Sequence, residues 1–394
     1  MLLRGNLARL IILTLIHFTV DFYAGLLVPL PEPTLTEHLG KDLALVALLV
    51  GGCAFLVNLI QPISGWLLPK KGMPLLLLLA PLLSALAACI GLSHSVWTVA
   101  ALLSAAAVGI GIVHPEAALA AHSLSGRRAG LGMSFFMSGG YFGFSFGCLV
   151  AGIWAEYFDP TLVWFWVLAL PAAVIAGVTV LSGLHRLEGH MKEDKAEGQD
   201  RLPILPMLAL CVAIAVNISL LIRFLPIFLV RAFPGQGGQG WGGGAVFALG
   251  ICSAVGAFLW GHLADRFGNA RVILAVQLCG APFLWQLLRI TQPVMAVVWA
   301  AGIGVTLSGV FPLGVVLARR AHGIPQRLRM GLAIGGAWGS GEVAFILGGK
   351  YIGQYPEGLL APVASVLNLC WVMLVATAML AAIACVLEKR ASSI

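Results

Sequence analysis

The sequence has 394 residues, 60% of them apolar and only 10% charged, where an ordinary soluble domain carries about 25% charged residues. So little polar surface cannot cover a water-soluble globule of this length. The apolar excess runs through the whole chain, which excludes a single anchor carrying a large soluble domain, and the net charge of +7 is not gathered into a patch that would suit nucleic acid.

Apolar stretches of about 20 residues suffice to cross a hydrocarbon core of about 30 Å. In chain order they lie at 8–30, 43–68, 73–92, 96–120, 130–154, 161–183, 204–230, 243–264, 270–289, 293–317, 328–352 and 362–387. The ~10-residue alternating segments of a transmembrane β-barrel do not occur. The fold class expected is therefore an all-α membrane protein with twelve transmembrane helices. The first run is too long for a cleavable signal and lacks a small-residue cleavage site. Cysteines 53, 89, 148, 211, 252, 279, 370 and 385 all fall inside these stretches with no Cys-x-x-Cys pair. They indicate neither a metal site nor a disulfide framework and read as small apolar packing residues.

The cations fix an orientation. With the N-terminus inside, cytoplasmic segments collect Arg4, Arg9, Lys70, Lys71, Arg127, Arg128, Arg186, Lys192, Lys195, Arg201, Arg266, Arg271, Arg319, Arg320, Arg327, Arg329, Lys389 and Arg390, and the opposite side only Lys41, Arg231, Arg289 and Lys350. Arg223 is left inside a helix. The positive-inside rule then places both termini in the cytoplasm, and an odd number of spans would scramble the partition.

The chain also repeats itself. Pro29 matches Pro226 at an offset of 197, Gly65–Gly72 matches Gly261–Gly268 at 196, His114-Pro115 matches Phe311-Pro312 at 197, and Arg128-Ala-Gly-Leu-Gly-Met matches Arg329-Met-Gly-Leu-Ala-Ile at 201. Six helices per unit give both units the same orientation, so the repeats are expected to be parallel, related by an axis along the membrane normal. Residues 1–184 form the first half, 204–394 the second, and the polar, mixed-charge stretch 185–203 reads as a flexible cytoplasmic linker.

Ionisable side chains in hydrocarbon cost at least about 2.5–3.5 kcal/mol each on insertion scales, so they point to function. The first helix carries His17 and Asp21, four apart and on one face. The fourth carries His114 and Glu116 around Pro115, toward the cytoplasmic end; two apart, they do not share a face, and Glu116 has Arg127 or Arg128 as alternative partners at the membrane edge. The seventh carries Asn217 and Arg223, and the eleventh carries Glu342 near mid-depth, at the repeat position of Tyr141. Asp21, His17, Glu116, His114 and Glu342 are the candidates for proton coupling. Glu342 is either a second proton site or the partner of Arg223. Tyr141, Phe135, Phe136, Phe224 and Trp338, with Asn217 and Arg223, are candidates for a substrate cavity. The glycines of the fifth helix, Gly139, Gly140, Gly143 and Gly147, allow close helix approach.

After the eighth helix the sequence reads Gly261-His-Leu-Ala-Asp265-Arg266-Phe-Gly268-Asn-Ala-Arg271. This resembles the G-x-L-a-D-R-x-G-r-r signature of the major facilitator superfamily. The glycines permit a tight turn, and Asp265 is placed to accept bonds from a helix N-terminus and to pair with Arg271, so Gly261, Asp265, Arg266, Gly268 and Arg271 are a candidate gating loop. The first-half copy departs from the pattern, with Pro69 for the aspartate and Lys70 for the arginine. Within the superfamily, His17-x-x-x-Asp21 leading to Val28-Pro29-Leu30, the Gly111-Ile-Val-His114-Pro115-Glu116-Ala run, and Arg127-Arg128 followed by Phe135–Gly147 resemble the fosmidomycin-resistance-like efflux branch.

That resemblance implies export of a small organic compound, a drug or metabolite, across a bacterial inner membrane. Membership of the superfamily also implies that the first and seventh helices meet across the axis on the outer side, so Asp21–Arg223 is expected as a pair across the halves. The acids suggest alternating access with a proton as coupling ion, one proton inward driving one solute outward. No cofactor, metal or nucleic-acid partner is expected; the partners are a small-molecule substrate and membrane lipid, and the protein is expected to be a monomer and not an enzyme. Proton-coupled uptake of a small organic solute by the same acids is the alternative.

Overall fold

Hydrophobic side chains cover both the interior and much of the outside of this molecule: Trp97, Phe258, Leu205 and Leu7 stand 72–84% exposed. Lipid rather than water is the solvent such a surface suits. The computed structural model describes residues 5–67, 73–125, 129–186, 202–324 and 326–392. Among them eleven helices are long and apolar enough to cross a membrane. They are α1 (Asn6–Leu26), α2 (Leu43–Leu67), α4 (Val96–Ser125), α5 (Gly132–Phe158), α6 (Phe165–Ser182), α7 (Ile204–Ala232), α8 (Gly238–Phe267), α9 (Asn269–Leu287), α10 (Pro293–Arg319), α11 (Leu328–Ile352) and α12 (Leu360–Arg390). A shorter apolar helix, α3 (Leu76–Leu92), joins nine α-helical residues to eight of tighter 3-10 helix.

The chain is helical almost throughout. The exception among the described residues is a two-residue parallel bridge between Leu202–Pro203 and Ala321–His322, which ties the start of α7 to the end of α10. The centre of the expected linker, like the first-half loop with Pro69 and Lys70, lies outside the described residues.

Local chemistry moves several boundaries. The first apolar run ends as a helix at Leu26, and a short helical segment follows over Pro31–Leu35 and Thr36–Leu39. Helix α6 starts at Phe165 rather than 161, because the Asp159 carboxylate holds the preceding turn. It accepts the Thr161 hydroxyl at 2.6 Å and the Trp164 amide at 2.6 Å, a local bonding pattern that competes with helix.

Helix α7 is the most enclosed, with every side chain from Asn217 to Leu229 buried. It packs on α8, α11 and α12, while α2 lies along α11, α5 along α8, and α1 along α5 and α4. The α1–α5 approach is close because glycines face α1. A Cβ on Gly139 would meet Thr14, one on Gly143 the Phe18 carbonyl, and one on Gly147 the Phe22 carbonyl.

Candidate functional site

Two polar clusters lie inside this apolar frame, one on α1 and α4 and one on α7 and α11. The first begins with the four-residue spacing that puts His17 and Asp21 on one face of α1. Helix α5 presses onto that face at Gly140, where an added Cβ would stand 2.5 Å from both Asp21 Oδ2 and His17 Nε2. Helix α4 closes the third side with His114. The resulting distances are 3.3 Å from His17 Nε2 to Asp21 Oδ2 and 3.2 Å from His114 Nε2 to Asp21 Oδ1. The imidazoles meet edge to face at 5.0 Å, and Phe136 stacks on His17 at 4.3 Å. His17 is buried, whereas Asp21 and His114 keep 18% and 22% side-chain exposure, so the cluster is reachable from one side.

The hydrogen bonds behind the two rings assign their tautomers. His17 Nδ1 lies 3.0 Å from the Phe136 carbonyl and His114 Nδ1 2.6 Å from the Ile110 carbonyl. A carbonyl only accepts, so each Nδ1 carries a proton and donates it. Each Nε2 therefore faces the Asp21 carboxylate, which also only accepts when ionised. A hydrogen bond on either edge requires a further proton there. The cluster is thus a cup of three converging acceptors, able to hold added positive charge.

Counting residues along the helices places His114 at a different depth from His17 and Asp21, and the structure corrects this. Helix α4 has 30 residues against 21 in α1, so their ends do not share a plane. Side chains also lean toward the N-terminus of their own helix, which draws the aspartate and the imidazole of oppositely running helices together. Glu116 stays outside the cup: its Oε2 accepts the Met73 amide at 2.7 Å, tying α4 to the approach of α3. Its alternative partners Arg127 and Arg128 lie outside the described residues.

The second cluster replaces the expected Asp21–Arg223 pair. Arg223 forms a two-pronged bond with Glu342, Nε to Oε2 at 3.1 Å and Nη2 to Oε1 at 3.0 Å, with both side chains buried. Glycine at 341 explains the choice, since a Cβ there would collide with Ser219, so α11 lies against α7 and brings Glu342 to the guanidinium. Arg223 also sits 5.4 Å over the Phe345 ring. Its Nη1, Asn217 Oδ1 and Ser219 Oγ are buried with no hydrogen-bond partner among the described residues.

The proposed cavity aromatics do not form one wall. Phe136 backs His17, whereas Phe135 is 47% exposed. Phe224 is fully buried and packs edge-on against Phe345 at 5.2 Å, which makes it a core residue. Trp338 lies 5.3 Å from Phe311, and Tyr141 is half-buried one position beyond Gly140.

The expected gating loop is helical on both sides: Gly261, Asp265 and Arg266 lie in the last turns of α8 and Arg271 in the first turn of α9. The chain turns between them at Gly268, whose φ of +90° suits glycine and whose amide bonds the Ala264 carbonyl; a Cβ added at Gly261 would meet nothing within 4 Å. Asp265, Arg266 and Arg271 are exposed. The expected Asp265–Arg271 pair is not formed among the described residues, and Arg266 lies over its neighbour Phe267. The ion pair found in this region joins Arg320 to Glu388 at 2.8 Å.

Sequence reasoning missed a third network at the end of the bundle where α1 and α7 finish. Arg231 grips Glu32 through Nε at 2.8 Å and Nη2 at 2.7 Å, and donates from Nη1 to the Leu359 carbonyl at 2.7 Å. Beside it the Gln239 side chain bonds Thr34, and the Gln239 amide donates to Glu156 Oε2 at 3.0 Å. The available signal was Glu32 itself, an acid between two prolines just past the first apolar run.

The Major Facilitator Superfamily model matches residues 11–251. The uncharacterized MFS-type transporter YfnC of Bacillus subtilis is 26% identical over 364 residues, covering 87% of this chain and 86% of that protein. The fosmidomycin resistance protein of Escherichia coli is 29% identical over 320 residues, covering 74% and 73%. Among solved structures, a bacterial homologue of the human drug peptide transporters PepT1 and PepT2 superposes with a TM-score of 0.73 at 16% identity, over 98% of this chain and all of that one. The nucleoside transporter NupG superposes at 0.72 and 12% identity, over 96% and 99%. At these identities the structures speak for the fold alone, and the curated relatives carry the resemblance to the fosmidomycin-resistance branch. The chain belongs to the Major Facilitator Superfamily of membrane transporters.

Proposed function

We propose that this transporter exports a small organic compound from the cytoplasm of a bacterium in exchange for protons, by alternating access. The reading takes α1–α12 as twelve spans in two parallel halves, 1–184 and 204–394, joined by the linker 185–203. Helix α3 counts as a span on length: nine residues at about 1.5 Å and eight at about 2.0 Å reach about 30 Å, the thickness of the hydrocarbon core. The cation distribution supports cytoplasmic termini, which makes the Glu32–Arg231 end the outer face.

The observation that carries the reading is the His17–Asp21–His114 cup. The hydrogen bond between α1 and α4, from His114 to Asp21, exists only with a proton on that edge, so loss of that proton loosens the contact between two helices of the first half. Glu342 and Arg223 hold α11 to α7, and the Glu32–Arg231 and Gln239–Thr34 bonds join the halves across the outer face. A two-state machine follows, in which that latch is closed while the cup faces inward and opens in the other state. The name of the Escherichia coli relative supports an antimicrobial or similar organic molecule as cargo.

The test uses everted membrane vesicles and a panel of small organic compounds that includes fosmidomycin. Accumulation in an acid lumen, abolished by an uncoupler, is the expected result. Accumulation driven only by acid outside the vesicle would assign proton-coupled uptake instead. No gradient-dependent movement of any compound in the panel would overturn the proposal.

A further inference from the structure

We propose that the His17–Asp21–His114 cup is a binding site for a divalent transition-metal ion of the zinc type. Three observations lead there. First, the donors are the two imidazole nitrogens and one carboxylate that zinc-like ions take, and their ligand atoms all lie within 4.8 Å of one another. With bonds of about 2.0–2.1 Å to nitrogen and oxygen, neighbouring ligands of a tetrahedral ion stand about 3.3–3.4 Å apart. Each imidazole already stands at that distance from one carboxylate oxygen, His17 Nε2 at 3.3 Å from Asp21 Oδ2 and His114 Nε2 at 3.2 Å from Asp21 Oδ1, so a small inward shift of the side chains within the 4.8 Å cluster closes the shell.

Second, the outer shell is in place. A metal-bound histidine donates its other ring N–H to a carbonyl or carboxylate, which fixes the tautomer and aims the lone pair at the ion. Both rings do this here, His17 to the Phe136 carbonyl and His114 to the Ile110 carbonyl. The alignment therefore precedes the ion. Third, the ligands lie on helices, while the partial exposure of Asp21 and His114 leaves the cup open to an entering ion. Two imidazoles with a single carboxylate suit zinc, nickel or copper and not calcium or magnesium, which need mostly oxygen ligands.

The ligands come from α1 and α4, so a bound ion would fasten these helices to each other. The inference rests on the geometry of the cup and not on which ion drives transport, and it is read on protein at rest. Purified, tag-free protein in detergent is titrated with zinc chloride by calorimetry, and its zinc-edge X-ray absorption is recorded. One ion per chain is expected, bound through two imidazole nitrogens with oxygen completing the shell. Affinity should fall at least about tenfold in His17→Gln and in His114→Gln and stay unchanged in His262→Gln, an exposed histidine near the end of α8. Magnesium should not compete. Binding of the same ion with equal affinity in both cup variants, a spectrum without two imidazoles, or no saturable binding to the wild type would each overturn the proposal. The wild-type spectrum decides the matter even where a variant fails to fold.

Discussion

His114 of α4 brings its Nε2 to 3.2 Å from Asp21 Oδ1 of α1, and this contact turns a local pair on one helix into a three-sided cup. Without it, His17 and Asp21 would be one turn of α1 bonded to itself. With it, the state of one carboxylate governs how two helices of the bundle are held together. The predictions that follow concern the packing that shapes the cup, the buried pair opposite it, and the latch at the far end.

Gly140 is the packing residue nearest the chemistry. An alanine there would place its Cβ 2.5 Å from Asp21 Oδ2 and His17 Nε2, and α5 would have to move away from α1. Overpacking of this kind costs about 1–3 kcal/mol. Gly140→Ala is expected to lower the melting temperature in detergent and to depress transport. Gly177→Ala on α6, where nothing lies within 4 Å, should be neutral or slightly stabilising, since alanine is the better helix former by about 1 kcal/mol.

The Arg223–Glu342 pair calls for a double-mutant cycle. Breaking a buried ion pair on one side leaves an uncompensated charge and costs about 3–5 kcal/mol. Arg223→Met and Glu342→Gln should each destabilise the detergent-solubilised protein strongly, and the double variant should lose clearly less than the two losses added together. Additive losses would show that the two residues do not act as one unit.

The latch should control access from the outer face. Arg231 bonds both Glu32 and the Leu359 carbonyl, so Arg231→Ala removes all three of its hydrogen bonds at once. A cysteine at Val28, fully buried just past the end of α1 and four residues before Glu32, is expected to react with a membrane-impermeant maleimide several-fold faster in the Arg231→Ala background than with the latch intact. Glu32→Gln should act in the same direction but less strongly, because the Leu359 bond remains.

The sequence shows which of these features are local and which are not. Composition and apolar run length give the helical class, because the bilayer imposes one length scale on every span. The His17–Asp21 pair is equally legible, since a spacing of four is a contact on any helix. The third member of the cup is not: counting depth along each helix assumes common end planes, and α4 is nine residues longer than α1. Glu342 is legible as one of two partners for Arg223, but the choice between it and Asp21 turns on how closely α11 lies to α7, which Gly341 sets and spacing alone does not reveal. The Gly261–Arg271 stretch at the junction of α8 and α9 resembles the family signature, yet its acid makes no ion pair among the described residues, whereas the Glu32–Arg231 network carries no motif and emerges only from the segment after α1 and the ends of α5, α7 and α8 meeting in space.

The central claim, that the cup centred on Asp21 holds the coupling proton, is tested most directly by proton movement in everted vesicles with an acid lumen, followed with a pH-sensitive dye as a transported compound is added. Wild-type vesicles should release protons from the lumen on addition of the compound, and Asp21→Asn vesicles with the same amount of correctly inserted protein should release none. Proton release by Asp21→Asn at the wild-type rate would contradict the account.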